Sequence, residues 1–378
     1  MAASSFDVVV LSSMEWGAAW QRLHTFAAQW AKAGHRVFFV ESSGSREPGL
    51  RDLGRIALRL KQALTPHPPS RHAHPDGLEI ISSPMLPPTR NVFRAVNARA
   101  LAPRLVAKLK AAGLRPGAVV FVYLPTATTF QILDRLDSPS VVYDCADNVR
   151  GLARPPAGFD ANEAELLKRS LLVVTSARTL YEDKKSLHPN VLELHHGTGA
   201  AFFLPPRAPG PHRRFAYFGT LWRAIDYAPI RALAEAGFDV ALIGPQKDAP
   251  PPLPASVRRI GPLSHEDLPA ALSAFDGLLL PYVNDEYNRG VIPAKTYECL
   301  ATGRPVLASP LPALTALPEL SVLRFARTPD EWVAAARALD ETETPAVREA
   351  RLAVARAHSE EKAFATLAKA VTDARVHS

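Results

Sequence analysis

The segment NRGVIPAKTYECLATGRPVLAS, residues 288–309, sets a cation and a carboxylate three positions apart at Lys295 and Glu298. On a helix that spacing puts both on one face, with Tyr297, Leu300 and Ala301 on the opposite, apolar one. Pro293 suits a first helical turn and Gly303 a helix end, so the pair is expected near the amino terminus of its helix. Free amides and the helix dipole favour phosphate there, an ammonium adds a point charge, and a carboxylate accepts hydrogen bonds from both hydroxyls of a ribose. Taken alone, the pair fits better a solvated surface contact worth about 0.2–0.5 kcal/mol. Its neighbours must decide.

Four other groups of residues have chemical potential. In YFGTLWR (217–223), Gly219 lets backbone approach a ligand, Thr220 offers a hydroxyl and Arg223 a phosphate-binding guanidinium; an ordinary tight turn with a solvent-facing arginine is the plain alternative. Asp144 and Asp147 follow the apolar run VVY, and strand alternation sends them to different faces. Asp147, the farther along, is the candidate general base, unless it caps the next helix or holds a turn. Glu15, Gly17, Arg22 and His24 lie in and after the loop SSMEWGAAW (12–20), where a glycine-bearing first strand-to-helix turn would admit an acceptor; His24 is the reserve base. His195 and His196 lead into Gly197, and a metal reading there needs further ligands of suitable spacing, so no metal is expected.

Short β-branched or aromatic runs must position these groups. DVVVLSS, HRVFFVES, GLEIIS, AVVFVYL, SVVYDCAD and LLVVTS form a first series, and RFAYFGT, DVALIGP, VRRIG, GLLLPY, RPVLAS and VLRFA a second. Helical patterns separate them: Leu23, Phe26, Ala27, Trp30 and Ala31 share a face and Gly34 stops the helix. This alternation is the signature of parallel α/β sheets. The proline-rich segment 204–214 reads as a linker between a domain at 1–203 and one at 215–378, whose last helix would cross back to the first. Two doubly wound domains facing a central cleft are expected, with function at the strand ends.

The pattern P-x-K-x-x-E-x-L-A-x-G-x-P-V resembles the donor-binding segment of GT-B glycosyltransferases, above all the group-1 family that builds bacterial surface polysaccharides. The resemblance extends to residues 16–41, VVYDCADN (141–148), HHGTGAAFF (195–203), AYFGTL (216–221) and the stretch from RRIGPLSHEDLP through Pro281 and Tyr282. It implies two Rossmann-like domains, an acceptor site in the first and a nucleotide-sugar site in the second. Glu298 would hold the ribose and Lys295 the diphosphate. Retaining members often carry a second Glu eight residues earlier, and here that position is Gly290, with Glu286, Asn288 and Arg289 nearby. The implied reaction transfers a sugar, most simply from a uridine diphosphate sugar, to a glycan or polyprenyl-linked acceptor, with no cofactor required. A nucleotide-sugar 2-epimerase of the same fold and an inactive membrane-recruiting partner of another transferase are the alternatives. A nicotinamide-dependent oxidoreductase is disfavoured, because no G-x-G-x-x-G follows the first strand.

Composition narrows the setting. The 378 residues hold 47% apolar and 21% charged types, as globular domains do. Two cysteines, Cys145 and Cys299, give no disulfide framework. The excess charge of +7 lies in residues 1–200, and residues 42–115 alone hold 13 Lys/Arg against 4 Asp/Glu. In that region RDLGRIALRLKQAL (51–64) has an apolar stripe flanked by cations, and a second basic helix is expected over Asn97–Leu114 with Arg99, Arg104, Lys108 and Lys110. The pattern suits an anionic membrane surface, and nucleic acid is disfavoured for want of a recognition motif. No run approaches the length of a membrane span, so a cytoplasmic protein, peripheral on the inner face of the membrane, is expected.

Overall fold

The computed structural model describes residues 5–18, 20–41, 74–83, 85–88, 90–152, 155–208 and 210–376. The chain forms two compact units, Met1–Leu194 with Phe364–Ser378, and His195–Ala363. The division at Leu194 and His195 falls ahead of the proline-rich segment, and the last helix, Glu360–Val376, begins in one unit and ends in the other.

The amino-terminal unit holds β1 (Asp7–Leu11), β2 (Arg36–Glu41), β3 (Leu78–Ser82), β4 (Val119–Val122), β5 (Ser140–Cys145), β6 (Ser170–Thr175) and β7 (Val191–Glu193). They lie in the order β3-β2-β1-β4-β5-β6-β7, every pair parallel. Val8 to Val10 and Val119 to Val122 are buried throughout, as strands covered on both faces must be, which is why they read as unbroken apolar runs. The helix Arg22–Lys32 follows β1 and buries Leu23, Phe26, Ala27 and Trp30. Gly34, at φ +89°, ends it. The three half-buried residues of β7 at the sheet edge carry too little pattern to be foreseen.

The carboxyl-terminal unit holds β8 (Arg214–Phe218), β9 (Asp239–Ile243), β10 (Arg258–Ile260), β11 (Gly277–Leu280), β12 (Val306–Ala308) and β13 (Arg324–Phe325), in the order β10-β9-β8-β11-β12-β13 and again wholly parallel. In each sheet the winding reverses once, at β1/β4 and at β8/β11. Outside the strand ends at such a reversal, the loops diverge and leave room for a ligand. Two Rossmann-like sheets are therefore present, each with one predictable site.

Of the two basic helices, RDLGRIALRLKQAL lies outside the described residues. The second runs as Asn91–Val96, one wider π-type turn at Asn97–Leu101, and Ala102–Ala111, with Arg99, Arg104, Lys108 and Lys110 exposed. Among the described residues no helix is long and apolar enough to cross a membrane.

Candidate active site

In the carboxyl-terminal unit, Lys295 stands at the β8/β11 reversal. Its Nζ donates to the phenol oxygens of Tyr217, at the end of β8 (3.1 Å), and of Tyr282, just past β11 (2.9 Å). It lies 4.5 Å from the centroid of the Tyr217 ring. Burial works against the ammonium charge, and the two phenol oxygens outweigh it, holding Lys295 above its ordinary value. Burial pushes the Tyr217 phenol up, so it stays neutral and donates its own hydrogen bond to the Thr220 carbonyl at 3.1 Å. Of the three ammonium donors, two are thus spent on the protein and one remains for a ligand.

Gly219 is required twice over here. Its φ is +124°, and a Cβ would stand 2.3 Å from Lys295 Nζ. Its amide donates to the Ile243 carbonyl at 2.8 Å, and Gly244, φ +139°, packs so closely that a Cβ there would meet Gly219 O at 2.3 Å. The turn IGPQ after β9 thus supports the glycine turn after β8. Thr220 is half-buried beside it, whereas Arg223 is exposed and tied through its backbone amide to Asp248. The structure does not bring Arg223 to Lys295.

The helix bearing Glu298 is Thr296–Ala301, with Lys295 as its N-cap and Pro293 outside it. This corrects the longer helix expected from Pro293 and leaves a weaker dipole at the site, so the point charge of Lys295 matters more. Tyr297, Leu300 and Ala301 are fully buried, as their stripe requires. Glu298 Oε1 accepts from His265 Nε2 at 3.2 Å. Burial disfavours the imidazolium, yet the bond and charge of Glu298 outweigh it and raise the His265 pKa. His265 belongs to the loop before the helix Leu268–Leu272, and spacing alone could not pair it with a residue 33 positions on. At the departure from the retaining pattern, Gly290 caps the short helix Glu286–Arg289. Asn288 does not replace the missing carboxylate, because its amide donates to the Val283 carbonyl at 2.8 Å.

The amino-terminal unit corrects two expectations. His24 is buried, its Nδ1 accepts from the Gln21 amide (3.1 Å) and its Nε2 is 3.1 Å from the Glu15 carbonyl. The first contact fixes the proton on Nε2, and that proton goes to Glu15. The ring is stacked between Trp20 and Phe39, so His24 caps and packs and is no base. Arg22 is likewise buried, with Nε 3.0 Å from Asp144 Oδ2 and Nη1 on the Leu194 carbonyl, and does not face an acceptor. Asp144 is fully buried; desolvation raises its pKa despite the opposing Arg22 charge. Asp147 is exposed in the loop beyond β5, while the 3-10 turn Val149–Gly151 takes its cap from Asn148, so the capping role does not fall to Asp147. Glu15 is exposed and Gly17 half-buried, in a loop held where the Trp16 amide donates to Glu41 Oε1 at 2.8 Å.

Sequence reasoning missed the pocket at the β1/β4 reversal. It is lined by Ser12, Ser13, Glu41, Ser83, Thr126 and Thr129 among apolar neighbours. Ser83 Oγ is buried without a hydrogen-bond partner, a state that a polar ligand would relieve. Its residues come from four separate stretches of chain, and only the fold assembles them.

Two parallel sheets that each reverse once, with a lysine and a glycine turn at the second reversal, define a pair of Rossmann-like units. Residues 211–369 match the family model described as glycosyl transferase-like. Anabaena HepE, solved with UDP-glucose, is similar at TM-score 0.65 and 12% identity over 97% of this chain and 99% of that one. A glycosyltransferase from Rickettsia africae is similar at TM-score 0.61 and 11% identity, covering 100% of both chains. The pneumococcal O-GlcNAc transferase GtfA, solved with UDP and GlcNAc, is similar at TM-score 0.55 and 10% identity over 72% of this chain, which spans 60% of that transferase. No curated protein sequence matches the chain. The chain has the GT-B fold, and it is the carboxyl-terminal part that carries the glycosyl transferase-like match.

Proposed function

We propose that the chain transfers a sugar from a nucleotide diphosphate sugar, a UDP-sugar, to a hydroxyl of a glycan or lipid-linked acceptor in cell-envelope or exopolysaccharide assembly. The observation that carries this reading is the Lys295 ammonium held over Gly219 at the β8/β11 reversal, where a diphosphate can approach backbone and cation together. HepE, solved with UDP-glucose, and GtfA, solved with UDP and GlcNAc, support the choice of nucleotide. Glu298 accepts the ribose hydroxyls, with His265 fixing the carboxylate. Gly219 and Thr220 line the diphosphate, and Arg223 reaches it from its exposed turn only if that turn moves.

In the reaction, the bond from the anomeric carbon to the diphosphate oxygen breaks as the acceptor oxygen bonds to that carbon. The departing diphosphate gains charge, which the preorganised ammonium stabilises. The acceptor proton passes to Asp147, with Glu15 and Gly17 on the acceptor side. The hydroxyl-lined pocket around Ser83 suits a sugar, whose hydroxyls need many short polar partners. Exposed Arg99, Arg104, Lys108 and Lys110 support docking on an anionic membrane surface, on its cytoplasmic face.

Incubation with UDP-sugars, with and without glycan and lipid-linked acceptors, tests the reading. UDP release that depends on acceptor is expected. Turnover of the free UDP-sugar to an epimer contradicts transfer, and donor binding with no turnover on any acceptor favours the inactive recruiting partner.

A further inference from the structure

His195 and His196 lacked further ligands in the sequence, and the fold brings two to His195. His195 opens the carboxyl-terminal unit, Glu319 lies in the 3-10 turn Pro318–Val322, and His358 follows the helix Pro345–Ala357. One imidazole nitrogen from each histidine and one Glu319 oxygen all lie within 4.8 Å of one another, on half-buried side chains.

The backbone fixes this meeting. Thr198 donates to the His358 carbonyl at 2.9 Å, and Glu360 returns a bond to the Thr198 carbonyl at 3.1 Å. Gly197 permits the approach, since a Cβ there would stand 2.7 Å from Glu360 Cα. The rings are oriented as metal ligands are. His358 Nδ1 is 3.0 Å from the Val354 carbonyl, so it carries the proton and Nε2 keeps its lone pair. His195 Nδ1 is 3.0 Å from the Tyr297 hydroxyl, and the Tyr297 ring stacks on His358 at 4.1 Å.

We propose that His195, Glu319 and His358 form a binding site for a divalent transition-metal ion of the zinc class, with water completing the coordination. Two imidazoles and one carboxylate select such an ion over calcium or magnesium, which prefer oxygen alone. Bonds of about 2.0–2.1 Å in a tetrahedral site bring ligand atoms to about 3.3 Å, so modest side-chain rotations close the set. The ion joins the segment that opens the unit to the segment that closes it, and braces Tyr297, the neighbour of Glu298. Its role is to fix this part of the fold rather than to carry the reaction.

The test uses tag-free, full-length protein stripped with a chelator and titrated with Co2+, whose visible absorption reports coordination, followed by competition with Zn2+. One Co2+ per chain with a tetrahedral or five-coordinate spectrum is expected, displaced by Zn2+. Glu319→Gln and His358→Gln should each weaken Co2+ binding at least tenfold, and His74→Gln, at an exposed histidine of the other unit, should leave it unchanged. Circular dichroism establishes that each variant is folded, and the nearly isosteric Glu319→Gln decides the matter if His358→Gln is not. Absence of a stoichiometric cobalt spectrum, or wild-type affinity in folded Glu319→Gln, overturns the site.

Discussion

At the residue scale, the site is governed by which atoms are already committed. Lys295 spends two donors on Tyr217 and Tyr282 and lies in space that a Cβ on Gly219 would fill. Gly219→Ala therefore displaces the ammonium and strains the backbone at once. For a residue with a Cβ in this glycine-favoured region such strain costs about 1–3 kcal/mol. The variant should melt lower than wild type and lose at least tenfold in UDP affinity by calorimetry; unchanged affinity in a folded variant contradicts the placement. His265 gives a pH signature. Its folded pKa is raised above the unfolded value of about 6.5, so its bond to Glu298 stabilises fully below that pH and less as pH rises through the folded value. The difference in melting temperature between wild type and His265→Asn should be widest near pH 6 and narrow on the alkaline side. A gap that widens with pH contradicts the pairing.

At the scale of elements, most strands were legible, because runs such as Val8 to Val10 and Leu278 to Leu280 are buried on both faces and announce themselves as unbroken apolar stretches. Edge strand β7 was not, being short and half-buried. Lys295 and Glu298 could be found because their spacing is local. His265, Tyr217 and Tyr282 could not be given roles, since each meets its partner only when separate strand ends converge. His24 misled for the opposite reason: a histidine three positions after the helix cap reads as reactive, although the capping box consumes it. Alternation along β5 could not place both aspartates, because the strand ends at Cys145: Asp144 is buried against Arg22, and Asp147 is exposed in the loop beyond. As the proposed base, Asp147→Asn should cut turnover by roughly 100-fold to 10,000-fold with donor affinity nearly intact. Near-normal turnover removes Asp147 from the chemistry.

At the scale of the molecule, charge and chemistry are divided along the chain: the basic excess lies in residues 1–200, and the Lys295 site in the other sheet. Each basic residue near an anionic membrane is worth about 1 kcal/mol. Reversing Arg99, Arg104, Lys108 and Lys110 together should abolish salt-sensitive binding to phosphatidylserine vesicles, and indifference of the wild type to such vesicles at low salt ends the membrane reading. The central claim is narrower, that Lys295 and Glu298 hold the nucleotide. Calorimetric titration of UDP into wild type, Lys295→Ala and Glu298→Ala tests it most directly. Each lost charge-assisted hydrogen bond costs about 1.5–3 kcal/mol, so the account predicts clear binding by wild type and a fall of at least tenfold in both variants. Equal UDP affinity in all three proteins would contradict it.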